Sequence, residues 1–177
     1  MGTTLLDASD MRRTLGRMAH AILEANQGSR DLGVVGILRR GWPLAKRLAF
    51  AMSQIEGAQV PCGRISIGSF RDDRPREDAD DTEIPFEITG KRIILVDEVI
   101  YTGRSCRAAL DALFTFGRPS SVQLAVLIDR GHRELPIQPD YCGRLIQTER
   151  DDHVRVSFSE FDGQDEVLLE SAVKGAA

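Results

Sequence analysis

The sequence predicts an α/β fold, a mainly parallel sheet flanked by helices. Three apolar runs, residues 32–38, 91–96 and 122–128, are rich in Val, Ile and Leu and too short for typical helices, so they read as buried strands. Segments of helical apolar spacing fall between them. Strands that alternate with helices imply right-handed crossovers and therefore parallel pairing, with ligands beyond the carboxyl ends of the strands.

The elements follow in order. Met11, Leu15, Met18, Ile22 and Leu23 recur at helical spacing, with Ser9 or Asp10 able to cap the helix and Gly28 to end it. After the strand at 32–38, Pro43 suits the first turn of a second helix whose inner stripe is Leu44, Leu48 and Met52. Residues 63–70 alternate weakly and read as a strand, and the charged stretch 71–81 reads as a solvated, mobile excursion. The strand at 91–96 ends on two acids. A glycine turn and a helix over 105–116 come next, with Cys106, Ala109, Leu110 and Leu113 inward, and the strand at 122–128 closes on Asp129, Arg130 and Gly131.

Composition bounds the possibilities. A chain of 177 residues, 42% hydrophobic and 28% charged, fits one domain spanning 1–177. No apolar run approaches the roughly 20 residues of a membrane span, and the first ten residues carry acids where a secretory signal carries bases, so a cytoplasmic place is expected. Cys62, Cys106 and Cys142 lack the paired spacing of a zinc or redox site and read as reduced structural thiols. A formal net charge of −4 excludes a protein that coats nucleic acid indiscriminately, so any RNA contact must be local.

The chemistry concentrates in residues 93–107, IILVDEVIYTGRSCR. A buried strand delivers Asp97 and Glu98 to the sheet edge, and Thr102, Gly103, Arg104 and Ser105 form the turn that opens a helix. Unpaired N–H groups at a helix N-terminus favour an anion, Gly103 permits close backbone approach, and the hydroxyls of Thr102 and Ser105 add donors. Two adjacent carboxylates would repel that phosphate. They suit ribose hydroxyls or a Mg²⁺ shared with a diphosphate.

This segment resembles the PRPP signature of type I phosphoribosyltransferases. The likeness extends to MRRTLGRMAH near the start, LAKRLA from Leu44, FRDD from Phe70 to Asp73, and GRPSSVQLAVLIDRGHRELPIQPDY from Gly117 to Tyr141. Together these resemble the PyrR family of pyrimidine-operon regulators that are also uracil phosphoribosyltransferases. The resemblance implies a parallel sheet core with a small hood, and a reaction of uracil with PRPP to UMP and pyrophosphate, with Mg²⁺. It implies catalytic roles, and Mg²⁺ contact through ribose or diphosphate, for Asp97 and Glu98. Arg39, Arg40 and Gly41 would meet the pyrophosphate, and Val99, Tyr101, Thr102, Gly103, Arg104, Ser105 and Cys106 would border the phosphate and ribose. Arg130 and Val154 would border the base, and a flexible lid would span residues 70–85. Arg13, Arg17 and His20 on the first helix, with His132, Arg133 and Arg144, would read an RNA hairpin.

Departures from the family pattern bear on activity. Leu38, Arg39, Arg40 and Gly41 stand where the family usually has Lys-Thr-Arg-Gly, so a compact hydroxyl has become a long cation. Ser66, Gly68, Ser69 and Phe70 replace Asp, Thr, Leu and Tyr; Glu98 replaces an Asp; Gln138 replaces an Arg; Gly16 replaces a hydroxyl residue. These changes favour nucleotide binding over turnover. Two functional classes therefore stand side by side: a uridine-nucleotide-responsive binder of pyrimidine-operon leader mRNA with weakened transferase activity, and a salvage uracil phosphoribosyltransferase without RNA. Transfer to a purine is disfavoured only by the DRGHRELP stretch. Expected partners are PRPP, uracil, UMP or UTP, the leader RNA and a second copy of the chain as a homodimer or larger oligomer, with neither DNA nor membrane among them.

Overall fold

The computed structural model describes residues 2–73 and 80–172. A five-stranded, wholly parallel sheet forms its centre in the order β3-β2-β4-β5-β6, made of β2 (Leu32–Ile37), β3 (Cys62–Ile65), β4 (Arg92–Ile100), β5 (Ser121–Asp129) and β6 (Tyr141–Leu145). Helices α1 (Ala8–Ala25) and α2 (Gly41–Glu56) cover one face and α3 (Arg104–Phe114) the other. Alternation along β4 divides the core between them. Ile94 and Val96 pack with α1 and α2, while Ile93 and Leu95 pack with α3.

Beside this sheet stands a hood, the antiparallel order β1-β8-β7, built from β1 (Gly2–Leu6), β7 (His153–Ser157) and β8 (Glu166–Glu170), with the short α4 (Ser159–Asp162) between the last two. Val154, Val156, Phe158 and Val167 bury into the same core as α1 and α2. Arg47 of α2 fastens the hood from outside. It bonds Glu160, Asp165 and Ser159, and its guanidinium lies 5.2 Å from the centre of the Phe158 ring.

Several expectations need correction. The cap of α1 is Asp7, not Ser9 or Asp10: Asp7 accepts from the Asp10 N–H at 2.8 Å while Asp10 accepts from the Asp7 N–H, a reciprocal capping box. The strand expected over 63–70 stops at Ile65, and a 3-10 turn, Gly68–Phe70, follows. The strand expected over 91–96 continues to Ile100, so Asp97 and Glu98 sit within it. The third helix ends at Phe114, two residues early. Of the excursion at 71–81, residues 74–79 lie outside the described residues; Asp72, Asp73, Asp80 and Asp81 on its flanks are exposed, while Arg71 is half-buried and bonds at either end tie the stretch to the body. Arg71 bonds Ser105, and Thr82 accepts from the Ser66 N–H while Glu83 bridges to Arg64.

The Arg47 cluster makes hood stability depend on pH. Hydrogen bonds from Arg47 hold Asp165 below its ordinary 3.8 and Glu160 below its ordinary 4.5, with burial opposing both. Carboxyls that bind protons less readily when folded stabilise the fold above their ordinary values, and this contribution is lost as pH falls through the lowered ones. Partial exposure keeps the effect small. Hydrogen exchange on β8 should therefore quicken as pH falls from about 5 to about 3, beyond the intrinsic rate change. Arg47→Met should exchange faster at neutral pH and respond less to acid; an identical acid response in both proteins would remove the fastening role.

Candidate functional site

The site forms where β4 outruns its neighbour. Pairing of β2 with β4 ends at Gly36–Val96, whereas pairing with β5 continues to Ile100–Asp129. From Asp97 onward one edge of β4 is open, and both acids line the cleft there although successive side chains on a strand face opposite ways. The cleft holds about 530 Å³. Its walls include Asp97, Glu98, Val99, Tyr101, the turn Thr102–Ser105 and Cys106 on one side, and Arg130 and Val154 on the other.

The turn has the geometry of an anion site. Gly103 holds φ +92, the left-handed region that glycine adopts freely, and it caps α3 without a side-chain bond. Its carbonyl receives the first intrahelical bond, from the Arg107 N–H at 3.0 Å. The N–H groups before that one lie in the helix's first turn, without partners further up the helix, and point along the dipole toward the cleft. Thr102 Oγ1 accepts from the Arg104 N–H at 3.3 Å.

The floor is acidic. Asp97 accepts from the Glu98 N–H at 2.9 Å. Burial pushes its carboxyl well above the usual range, the Glu98 charge and a Glu98 hydrogen bond add to the rise, and the positive charge of Arg71 opposes it. Two adjacent carboxylates so placed call for hydroxyl donors or a cation. Among the described residues no group of three or more His, Cys, Asp or Glu side chains is placed to hold a metal ion. The two carboxylates offer oxygen ligands of the kind Mg²⁺ takes.

The opposite wall is aromatic and cationic. The Arg130 guanidinium lies 4.2 Å from the Tyr101 ring centre, its NH2 donates to the Glu149 carbonyl at 3.1 Å, and its buried Nε has no hydrogen-bond partner. Cys106 is buried, and burial pushes its thiol up to about 12, so its part is packing and backbone, not thiolate chemistry.

The pyrophosphate candidates sit differently. Gly41 packs against β4 beside Asp97, but Arg39, Arg40 and Gly41 do not line the cleft. Arg40 turns to the hood, bonding Asp162 at 2.6 Å and the Val156 carbonyl, and Arg39 is exposed beside Asp81. Of the RNA candidates, Arg13, Arg17 and His20 share the exposed face of α1. Arg17 donates to the Gly143 carbonyl, which ties α1 to β6, and Arg144 of β6 donates to the Leu5 carbonyl of β1. His132 bonds Thr148 nearby. Arg133 instead points inward, pairing with Asp129 at 2.6 Å and with the carbonyls of Tyr101 and Ile137. Glu134, Arg150, Asp152 and His153, for which the sequence offered no role, also line the cleft, as does Arg71, expected only as part of the lid. The FRDD stretch was the available signal for Arg71.

Residues 1–159 match the family model for the phosphoribosyl transferase domain. The bifunctional protein PyrR of Roseiflexus sp. (strain RS-1) is 52% identical over 163 residues, 90% of this chain and 89% of that one. That of Thermus aquaticus is 51% identical over 169 residues, 93% of each. Among solved structures, the hypoxanthine phosphoribosyltransferase of Trypanosoma cruzi has a TM-score of 0.73 at 18% identity, with 96% of each chain covered. A hypoxanthine-guanine phosphoribosyltransferase from Bacillus anthracis has a TM-score of 0.70 at 20% identity, covering 96% of this chain and 97% of its own. At such identities the likeness is one of fold.

The acidic floor has a direct signature. Asp97 should titrate well above 3.8 in a carbon-detected magnetic resonance titration, and Glu98→Gln should move it down by removing the neighbouring charge. An ordinary Asp97 titration in the wild-type protein would contradict this account of the floor.

Proposed function

The chain belongs to the phosphoribosyl transferase domain family and, within it, to the PyrR family, and from that premise we propose that it regulates pyrimidine genes by binding leader mRNA in response to uridine nucleotides. It also carries uracil phosphoribosyltransferase activity, joining uracil to PRPP to give UMP and pyrophosphate, with weakened turnover. The observation that carries this reading is the company of groups in one cleft: a helix N-terminus for phosphate, two carboxylates for ribose, and Arg130 stacked on Tyr101 to border a pyrimidine base.

In this reading Thr102, Gly103, Arg104 and Ser105 hold the 5′-phosphate, and Asp97 and Glu98 accept from the ribose hydroxyls. The same carboxylates complement positive charge that develops at the anomeric carbon. Asp97 and Glu98 would be the residues to hold a Mg²⁺ ion that accompanies PRPP, and such an ion would supply positive charge for the departing diphosphate. Turnover is weakened because Leu38 and Arg39 stand where the family's usual turn has Lys and Thr, so the diphosphate loses an ammonium and a compact hydroxyl donor, and Arg40 is committed to Asp162. The chain works as one phosphoribosyltransferase domain and acts in the cytoplasm; no described helix is long and apolar enough to cross a membrane.

Two experiments bear on the reading. Gly103→Val should abolish UMP binding in calorimetry while the fold persists, because a β-branched residue strains at φ +92. Unchanged affinity in a folded variant would sink the phosphate assignment. For RNA, Arg17→Glu should weaken filter binding of the leader hairpin by about tenfold or more, with a salt slope of about 0.7 to 0.9 per phosphate contact. UMP should shift the RNA affinity, and RNA must shift UMP affinity by the same factor. Hairpin binding that ignores both charge reversal and UMP would leave the salvage enzyme as the better reading.

A further inference from the structure

Beyond its place in the expected lid Arg71 has been given no ligand contact, yet it occupies the most telling position in the cleft. Its NH1 donates to Ser105 Oγ at 2.9 Å, in the first turn of α3 where the anion belongs. Its Nε and NH2 form a fork onto the two carboxylate oxygens of Asp73, both at 2.9 Å. The Arg71 side chain is only 16% exposed, whereas Asp73 sits at the rim and is 33% exposed.

We propose that Arg71 is a phosphate-binding residue of this site, and that the Asp73 carboxylate is an internal anion which a ligand phosphate displaces from it. The inference rests on the nucleotide reading. A guanidinium fork receives phosphate oxygens in the geometry in which it receives a carboxylate, so Asp73 holds the fork oriented until a phosphate takes its place.

The other arginines along the cleft are less suited. Arg104 is shared between Asp72 and Glu134, Arg150 reaches Glu134, and Arg130 is held by carbonyls beside Tyr101. Among these arginines only the Arg71 guanidinium bonds a side chain of the phosphate turn within the described residues. Its charge also reaches Asp97, where it opposes the raised proton affinity of the acidic floor. A cation between the phosphate turn and the carboxylates separates two sets of negative charge that would otherwise repel. The Arg133–Asp129 pair offers a contrast: its side chains are 13% and 10% exposed and its geometry braces the loop, with no cleft beside it for an exchange.

Exchange and bracing predict opposite signs for one substitution. If Asp73 competes with the ligand, Asp73→Asn should raise UMP affinity by roughly threefold or more, while Arg71→Gln should lower it by roughly tenfold or more. If the pair merely braces Ser105, both variants should lower it. Calorimetric titrations with UMP and with inorganic pyrophosphate, on full-length protein checked by circular dichroism, read the sign directly. Should Arg71→Gln not fold, Asp73→Asn decides alone, a gain supporting exchange and a loss or no change overturning it. A wild-type protein that binds pyrophosphate but not UMP would defeat the nucleotide reading while leaving the exchange to stand or fall on the same variants. Binding of neither would defeat both.

Discussion

Three backbones touch beneath the acidic end of β4, and the placement of Asp97 and of the start of α2 follows from that contact. A Cβ on Gly41 would lie 2.5 Å from the Val96 carbonyl oxygen and 3.2 Å from Asp97 Cα, and a Cβ on Gly36 would lie 2.7 Å from the Gly41 carbonyl oxygen. Only residues without side chains permit β2, the start of α2 and β4 to pack this closely. The approach sets α2 against the strand at the residue where its acids begin, and it leaves the preceding turn little freedom. Arg40, the N-cap of α2, is then directed away from the cleft and into the hood, where Asp162, the Val156 carbonyl and the Phe161 ring receive it. One steric constraint thus fixes both the floor of the site and the fastening of the hood.

The floor itself is electrostatically unfinished. Asp97 is a desolvated carboxyl beside another acid, on a strand edge that has lost its neighbour. Such a pair is less stable than either acid alone would be in water, and it persists because the surrounding sheet determines the backbone through Ile100 on the β5 side. Hydroxyl donors or a cation brought by a ligand complete it. Binding energy is therefore available at the point where positive charge would develop during phosphoribosyl transfer. The same incompleteness serves a nucleotide sensor, since occupancy changes the local charge of the cleft.

The legible part of the fold was the part that buries whole strands. Every residue of β2 is buried, and an apolar run announces that in sequence. The hood was implied only through the family resemblance, because β1 has one fully buried residue and β8 one, and the residues that pair, such as Gly2 with Glu170, lie at opposite ends of the chain. The extension of β4 through its two acids was hidden because charged residues suggest an end, whereas here the sheet continues on one side only. At the site, the phosphate turn and the acids could be read from local pattern. The directions taken by Arg40, Arg133 and Arg71 could not, since each depends on an acceptor brought near by the fold: the Asp162 carboxylate, the Tyr101 carbonyl and the Ser105 hydroxyl.

An acidic chain that must hold polyanions faces a general difficulty, and the arrangement of arginines here answers it locally. With a formal net charge of −4, the protein offers no long-range attraction for nucleotide or RNA. Its arginines are instead matched one by one to internal acceptors: Arg71 to Asp73, Arg104 to Asp72 and Glu134, Arg17 to the Gly143 carbonyl and Arg144 to that of Leu5. Matched cations keep their orientation in the absence of ligand and lose little side-chain entropy when one anion replaces another. The consequence is selectivity over speed. An arriving phosphate must offer a better acceptor than the carboxylate or carbonyl already in place, so a lone charge gains little, whereas a ligand that satisfies the turn, the acids and Arg130 together gains at every point of the cleft.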